Sequence, residues 1–327
     1  MLYDNHGRTI NYLRLAVTDR CNLRCFYCMP ESGIKYVNRK DLLTFEEMLR
    51  LLTIFGELGI NKLRITGGEP FVRTGIMEFL EEVSTLENIH QVHITTNGTL
   101  TEDKVDLLEK LGVKSINLSL DSLDRQRFFE ITRRDEFDKV MGTLHKLIDS
   151  NIRVKINMVV MDGRNIEDIL PMVELTRDHD ISVRFIEEMP FNGTAGQGNE
   201  TLWPMKKILA NIQSHFPTLE KSPDPPFSTS SNFHIPGFKG SVGIIAAYTR
   251  TFCGTCNRIR LTPQGTLRTC LYGKGQLNFR DLIRSGASDK VIENELRTAL
   301  GKRAKDGFEA EKNREDEVSE SMATIGG

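Results

Sequence analysis

The sequence predicts an α/β fold, an open and partial (β/α)6 barrel, with a smaller α+β region after it. Three observations lead there. From Leu13 to Met189 short β-rich runs alternate with amphipathic helical runs, which implies a parallel sheet of right-handed βαβ units. Six such units fall short of the eight in a closed barrel of the TIM type, which needs about 250 residues. Polar and Gly-rich motifs stand where the strands end, as the C-terminal rim of such a barrel requires. A doubly wound open sheet is the alternative, and it too places ligands at the carboxyl ends of its strands.

The elements follow in order. Strands are expected at YLRLAVT (12–18), KLRITGG (62–68), QVHITTNG (91–98), SINLSLDS (115–122), RVKINMVV (153–160) and SVRFIEEMP (182–190). The first helix, TFEEMLRLLTIFGELG, opens on a capping box of Thr44 and Glu47, and Met48, Leu51, Leu52, Phe55 and Leu58 share one face. TEDKVDLLEKLG and FDKVMGTLHKLIDS repeat the pattern. The strand ends carry TGGEP (66–70), TTNG (95–98), SLDS (119–122) and EEMP (187–190). After Pro190 two stretches rich in Gly, Pro, Ser and Asn read as loops with a short helix between them. From Ser241 come a strand, SVGIIAAYT, a cysteine-bearing hairpin, CGTCNRIRLTPQGTLRTC, and a helix, DKVIENELRTAL. The charged stretch 302–323 reads as a mobile tail running to Gly326 and Gly327. The expected division is 1–225 and 226–327.

Composition narrows the class. With 327 residues, 39% apolar and 27% charged, this is an ordinary globular enzyme composition. No apolar run approaches the ~18 residues of a membrane span, and a net charge of −2 argues against a general nucleic-acid binder. No apolar leader precedes the first strand, so the expected location is cytoplasmic, where thiols stay reduced and a disulfide framework is not expected.

All six cysteines fall into two triads. Cys21, Cys25 and Cys28 sit in RCNLRCFYCMP. A structural zinc ion usually takes four ligands. Iron–sulfur clusters take cysteine thiolates, commonly one per iron, so three on a four-iron cluster leave one iron open. Cys253, Cys256 and Cys270 form the second triad, which alone suits either a zinc site with a distant fourth ligand such as His234 or an iron–sulfur site. Arg258 and Arg260 point to one face of the strand after Cys256, and Arg268 lies on the returning strand. They are either a solvated hairpin face or a phosphate clamp, since guanidinium forks bind phosphate bidentately. Arg14, Arg64 and Lys155 are further cations on strands of the sheet. His90 and His93 read as structural or exposed, and Met158, Met161 and Met172 as core filler.

The C-x3-C-x2-C motif with Tyr27 inside it, followed by TGGEP, resembles the radical S-adenosylmethionine (SAM) superfamily. LRLAVTDRCNLRCFYCMP, LRITGGEP, HITTNG, NLSLDS, VKIN, RFIEEMP, FCGTCNRIRLTPQGTLRTCL and the terminal IGG together resemble the GTP 3',8-cyclases of molybdenum cofactor biosynthesis. The resemblance implies a lyase that converts GTP to 3',8-cyclo-7,8-dihydroguanosine 5'-triphosphate. It implies two [4Fe-4S] clusters, one on Cys21, Cys25 and Cys28 and one on Cys253, Cys256 and Cys270, with the C-terminal region closing the barrel. SAM would lie at Tyr27, Gly68, Ser119 and Met189. GTP would lie at Arg14, Arg64, Thr95, Lys155, Arg258, Ile259 and Arg260, with Gly326 and Gly327 reaching the pocket. The glycine at 68 is expected because a residue without a side chain lets a ligand approach the backbone. An external electron donor is implied, the product passes to the next enzyme of the pathway, and a homodimer fits the family. A peptide-modifying radical SAM enzyme and, from another class, a zinc-binding RNA or protein interaction module are the rival readings.

Overall fold

In a computed structural model, residues 1–29, 33–189, 202–314 and 321–325 are described. Strands β1 (Leu2–Tyr3) and β2 (Thr9–Ile10) pair as a separate antiparallel hairpin. The main sheet is built from β3 (Tyr12–Ala16), β4 (Lys62–Thr66), β5 (Gln91–Thr96), β6 (Ser115–Ser119), β7 (Arg153–Val160) and β8 (Ser182–Glu187). To these the chain adds β9 (Glu220–Lys221), β10 (Ser230–His234), β11 (Ser241–Ile245), β12 (Arg258–Leu261), β13 (Thr266–Arg268) and β14 (Leu277–Asn278). The order is β14-β13-β12-β3-β4-β5-β6-β7-β8-β11-β10-β9. Strands β3 to β8, the six read from sequence, stand side by side and parallel. Strand β12 joins the free edge of β3 and β11 that of β8, both parallel.

A parallel sheet covered on both faces normally reads as near-continuous apolar runs. These strands alternate instead. Leu13, Leu15, Leu63, Ile65, Ile116, Leu118, Ile156, Val183 and Phe185 are fully buried, and each contributes about 1.5–3 kcal/mol on burial. The intervening positions, such as Arg14, Arg64, Thr95, Asn117, Lys155, Asn157 and Arg184, occupy the other face. One face therefore packs on helices and the other lines a polar space. The helix Phe45–Glu57 carries both bonds of the Thr44–Glu47 capping box, and Met48, Leu51, Leu52 and Phe55 are buried. Met158, Met161 and Met172 are core residues.

Three expectations change. The stretch before Ser241, read as loop, contains β10, which pairs with β9 and β11; its Ser- and Asn-rich pattern hides a short strand held by its neighbours. The cysteine hairpin does not stand apart, because β12 extends the main sheet. In the charged stretch after 302, Gly307–Lys312 is a helix capped by the Asp306 side chain, and Met322–Ile325 is a further helical turn. Buried Ala310, Ala323 and Ile325 suffice to dock these pieces, and Arg303 is buried against Asp4. Among the described residues no helix is long and apolar enough to cross a membrane.

Candidate active site

The loop holding the first triad is launched by backbone contacts between two strand ends. Val17 N donates to Thr66 O at 2.9 Å, Gly68 N to Thr18 O at 2.8 Å and Glu69 N to Arg20 O at 2.8 Å. A Cβ on Gly67 would stand 2.4 Å from Thr18 O, and one on Gly68 would stand 2.3 Å from Arg20 O. The glycines are thus demanded by the chain leading into Cys21, a packing reason that stands beside the ligand access read from sequence for Gly68. Within the loop Cys28 N and Met29 N donate to Cys25 O.

Carboxylates surround this loop. Buried Glu69 accepts from Phe71 N, Thr96 Oγ1 and Asn97 N, yet burial pushes its carboxyl up to about 7. Tyr27 donates its hydroxyl to Asp121 Oδ2 at 2.7 Å, and Val159 N donates to Asp121 Oδ1; burial raises Asp121 to about 6. The thiols respond to the same surroundings. Burial and then Glu69 push Cys21 up to about 12. Burial also raises Cys25, with Asp121 adding to it, and Cys28. Glu69, Asn97 and Asp121 lie in the strand-end motifs noted in the sequence but had no role assigned there.

The second triad is built differently. Cys253 and Cys256 flank a tight turn closed by Cys256 N donating to Cys253 O at 3.2 Å, and Cys270 follows β13. Burial opposes ionisation of Cys256, but the charges of Arg258 and Arg303 outweigh it and bring the thiol down to about 7. Burial raises Cys253 and Cys270. His234 is no fourth ligand: it lies on β10, exposed, with Glu220 at 3.3 Å. Its place on β10 leaves it outside the residues that line the cavity. All six cysteines are free.

Both triads open onto one cavity of about 480 Å³. Its wall includes Cys21, Cys25, Cys28, Cys253, Cys256 and Cys270, and also Tyr27, Gly68, Ser119 and Met189. Arg14, Arg64, Thr95, Lys155, Arg258 and Arg260 line it too. Ile259 is buried on the opposite side of β12, so only its backbone is available to a ligand. Gly326 and Gly327 lie outside the described residues. The register explains the convergence: Arg260 stands opposite Arg14, and Arg14 opposite Arg64.

Positive charge is concentrated here. Burial and the charges of Arg184 and Arg64 bring Lys155 down to about 7. Burial and Arg258 lower Arg260 to about 10. Burial opposes ionisation of the Tyr12 phenol, yet Arg64 and Arg14 bring it down to about 8. Arg64 Nε donates to Tyr12 Oη at 2.6 Å and Nη1 to Ile94 O and Thr95 Oγ1, which fixes the fork. Buried Arg184 Nε, Asn117 Oδ1 and Asn157 Oδ1 have no hydrogen-bond partner among the described residues. Sequence reading passed over Lys62, Arg184, Asn117 and Asn157, although each lies two places from a chosen residue or a strand end on the same face.

A thiol triad launched from the first strand of a parallel sheet, beside a glycine-stitched second strand end, defines a class. Residues 15–176 match the Radical SAM superfamily and residues 181–308 match Molybdenum Cofactor Synthesis C. The chain belongs to the GTP 3',8-cyclase family: it is 38% identical over 332 residues to "GTP 3',8-cyclase" of Clostridium perfringens (strain 13 / Type A), covering 99% of both. It is 42% identical over 313 residues to "Molybdenum cofactor biosynthesis protein 1" of Dictyostelium discoideum, which covers 93% of this chain and 49% of that protein. The chain thus spans about half the length of that relative. Among solved structures, Streptococcus suis SuiB bound to S-adenosylmethionine shares the fold, with a TM-score of 0.62 at 15% identity over 89% of this chain and 68% of that one. The zinc-module and peptide-modifying readings are not favoured by these matches.

Proposed function

We propose that this chain is a radical SAM GTP 3',8-cyclase that converts GTP to 3',8-cyclo-7,8-dihydroguanosine 5'-triphosphate, the first step of molybdenum cofactor biosynthesis. One observation carries the reading: two thiol triads and a row of arginines share one cavity. The donor sets fit the groups the family implies, because each triad offers free thiols and no disulfide. Cys21, Cys25 and Cys28 would hold one [4Fe-4S] cluster with SAM beside it, near Tyr27, Gly68, Ser119 and Met189. Cys253, Cys256 and Cys270 would hold a second. When bound, clusters and SAM supply the radical chemistry, while the protein orients the reactants.

The chain's own part is anion capture and placement. Arg14, Arg64, Arg258 and Arg260 present forks suited to phosphate oxygens, and Lys155, brought down to about 7 by burial and its cationic neighbours, would gain full charge once a triphosphate enters. Thr95 and the Ile259 backbone add polar contacts. In this reading β3 to β8 are the strands of the partial barrel, residues 1–225 serve the first cluster, and 226–327 serve the second and close the barrel. In the same reading an external donor supplies electrons, and the product passes to the next enzyme of the pathway.

Anaerobic reconstitution followed by iron, sulfide and zinc analysis, then incubation with GTP, SAM and reductant, tests this. The expected result is about eight irons per chain and GTP-dependent formation of the cyclised nucleotide. Stoichiometric zinc in place of iron, or cluster-loaded protein that leaves GTP unchanged, overturns it.

A further inference from the structure

Arg303 is buried in the stretch that the sequence suggested was a mobile tail. Each of its five N–H donors has an acceptor. Nε donates to Thr269 O at 2.9 Å. Nη1 donates to Asp4 Oδ2 at 3.0 Å and Cys256 O at 2.9 Å. Nη2 donates to Arg258 O at 3.0 Å and to Cys256 Sγ at 3.1 Å. The site is braced from the N-terminal hairpin as well. Arg8 shares Asp4, its Nε 2.6 Å from Oδ2, and its Nη1 donates to Cys253 O at 3.1 Å. Four of the five Arg303 bonds are stitches to oxygen. The fifth reaches a thiol that faces the cavity.

Given the reading above, on which this rests, we propose that Arg303 is a positioning residue of the second triad, donating to the Cys256 sulfur and raising the reduction potential of the cluster held there. Hydrogen bonds to ligand sulfur and local charge are established levers on cluster potential. One-electron reduction adds negative charge to the cluster and its thiolates. A buried guanidinium donating to one of those sulfurs stabilises that added charge. Arg258 adds its charge and its own hydrogen bonds at the same sulfur, so Arg303 is one of two cationic contributors there. Among the described residues the side-chain donors at the first triad are neutral: Asn97 Nδ2 stands 3.7 Å from Cys21 Sγ, and Tyr27 and Ser321 hydrogen-bond Cys25 and Cys28.

The test is an EPR-monitored redox titration of full-length, anaerobically reconstituted wild type, Arg303→Gln and Arg303→Lys, with Cys256→Ser identifying the second-cluster signal. The expected result is a more negative midpoint for the second cluster in Arg303→Gln, an intermediate one in Arg303→Lys, and an unmoved midpoint for the first cluster. An unchanged second midpoint at full occupancy overturns the proposal, as does an equal shift of both clusters. If Arg303→Gln does not retain the second cluster, Arg303→Lys decides: a single ammonium in place of a fork spanning five acceptors still lowers the midpoint, and no shift overturns the proposal. Wild-type protein lacking any signal sensitive to Cys256→Ser would instead refute the two-cluster reading itself.

Discussion

The two cysteine triads use the same donor and face the same cavity, yet their surroundings have opposite charge. Around Cys21, Cys25 and Cys28 the nearby ionisable groups are Glu69 and Asp121, and every thiol is raised. Around Cys256 they are Arg258 and Arg303, and this one thiol of the second triad falls to about 7 while burial still raises Cys253 and Cys270. The first triad sits in one short loop at the ends of β3 and β4, where strand-end acids collect. The second is assembled from a turn, a returning strand, the neighbouring Arg258 and the distant Arg303. Both sites therefore take charge from elsewhere in the fold: Glu69 and Asp121 at the first, Arg303 at the second. In the proposed reaction, the acidic side suits a cationic sulfonium ligand and the basic side a polyanion.

The largest break in the comparison comes from removing one thiol on each side. Cys25→Ser should abolish reductive cleavage of SAM, whereas Cys256→Ser should retain it under strong reductant. Quantifying 5'-deoxyadenosine checks this, and undiminished formation by Cys25→Ser removes the first assignment.

Alkylation of the metal-free protein probes the electrostatic contrast directly. At pH 8 a thiol with pKa about 7 is more ionised than one near 12 by roughly four orders of magnitude, and its lower nucleophilicity returns about two of them. Iodoacetamide should therefore label Cys256 about 100-fold faster than Cys21. The sign follows from a depressed folded-state value: the reactive thiolate is fully present above the ordinary thiol pKa and is lost as pH falls through about 7. Peptide mapping by mass spectrometry reads both rates, and equal rates contradict the contrast.

Next in size is the nucleotide side. Arg260→Ala should weaken GTP binding about 10-fold to 150-fold, the loss of one charge-assisted hydrogen bond of ~1.5–3 kcal/mol, while SAM cleavage persists uncoupled. Calorimetric titration beside a cleavage assay measures the two together. Unchanged GTP affinity returns Arg260 to a structural role.

The smallest effect sharpens the local side. Gly68→Ala places a Cβ against Arg20 O, an overpacking cost of about 1–3 kcal/mol. Denaturation should show that loss, and iron analysis should show the first cluster depleted more than the second. Equal depletion of both would mean that the two ends of the cavity are not built independently.

Much of this site was legible because its signals are local. The spacing of Cys21, Cys25 and Cys28, the Thr44–Glu47 capping box and the period-two pattern of RVKINMVV each depend on residues a few places apart, and β7 spans Arg153–Val160 as read. The helix DKVIENELRTAL likewise spans Asp289–Leu300. By contrast, Arg258 and Arg260 could not be told from a solvated hairpin, because their place in the cavity wall rests on β12 lying parallel to β3. Charged 302–314 looked unstructured since its apolar residues are few. Its anchor, the Arg303–Asp4 pair, joins residues 299 positions apart.

By itself, then, the sequence determined the repeating strand–helix units, the two thiol triads and the polar strand ends, all properties of short windows governed by backbone period and side-chain chemistry. Only the tertiary structure decided that β12 and β11 would take the two edges of the parallel run, that Arg260 would face Arg14, and that Gly68 would be needed by the backbone of Arg20. Closing a long loop costs only slowly more entropy as the loop grows, so distant segments pair wherever burial and hydrogen bonding reward it. No local pattern records which edge that will be.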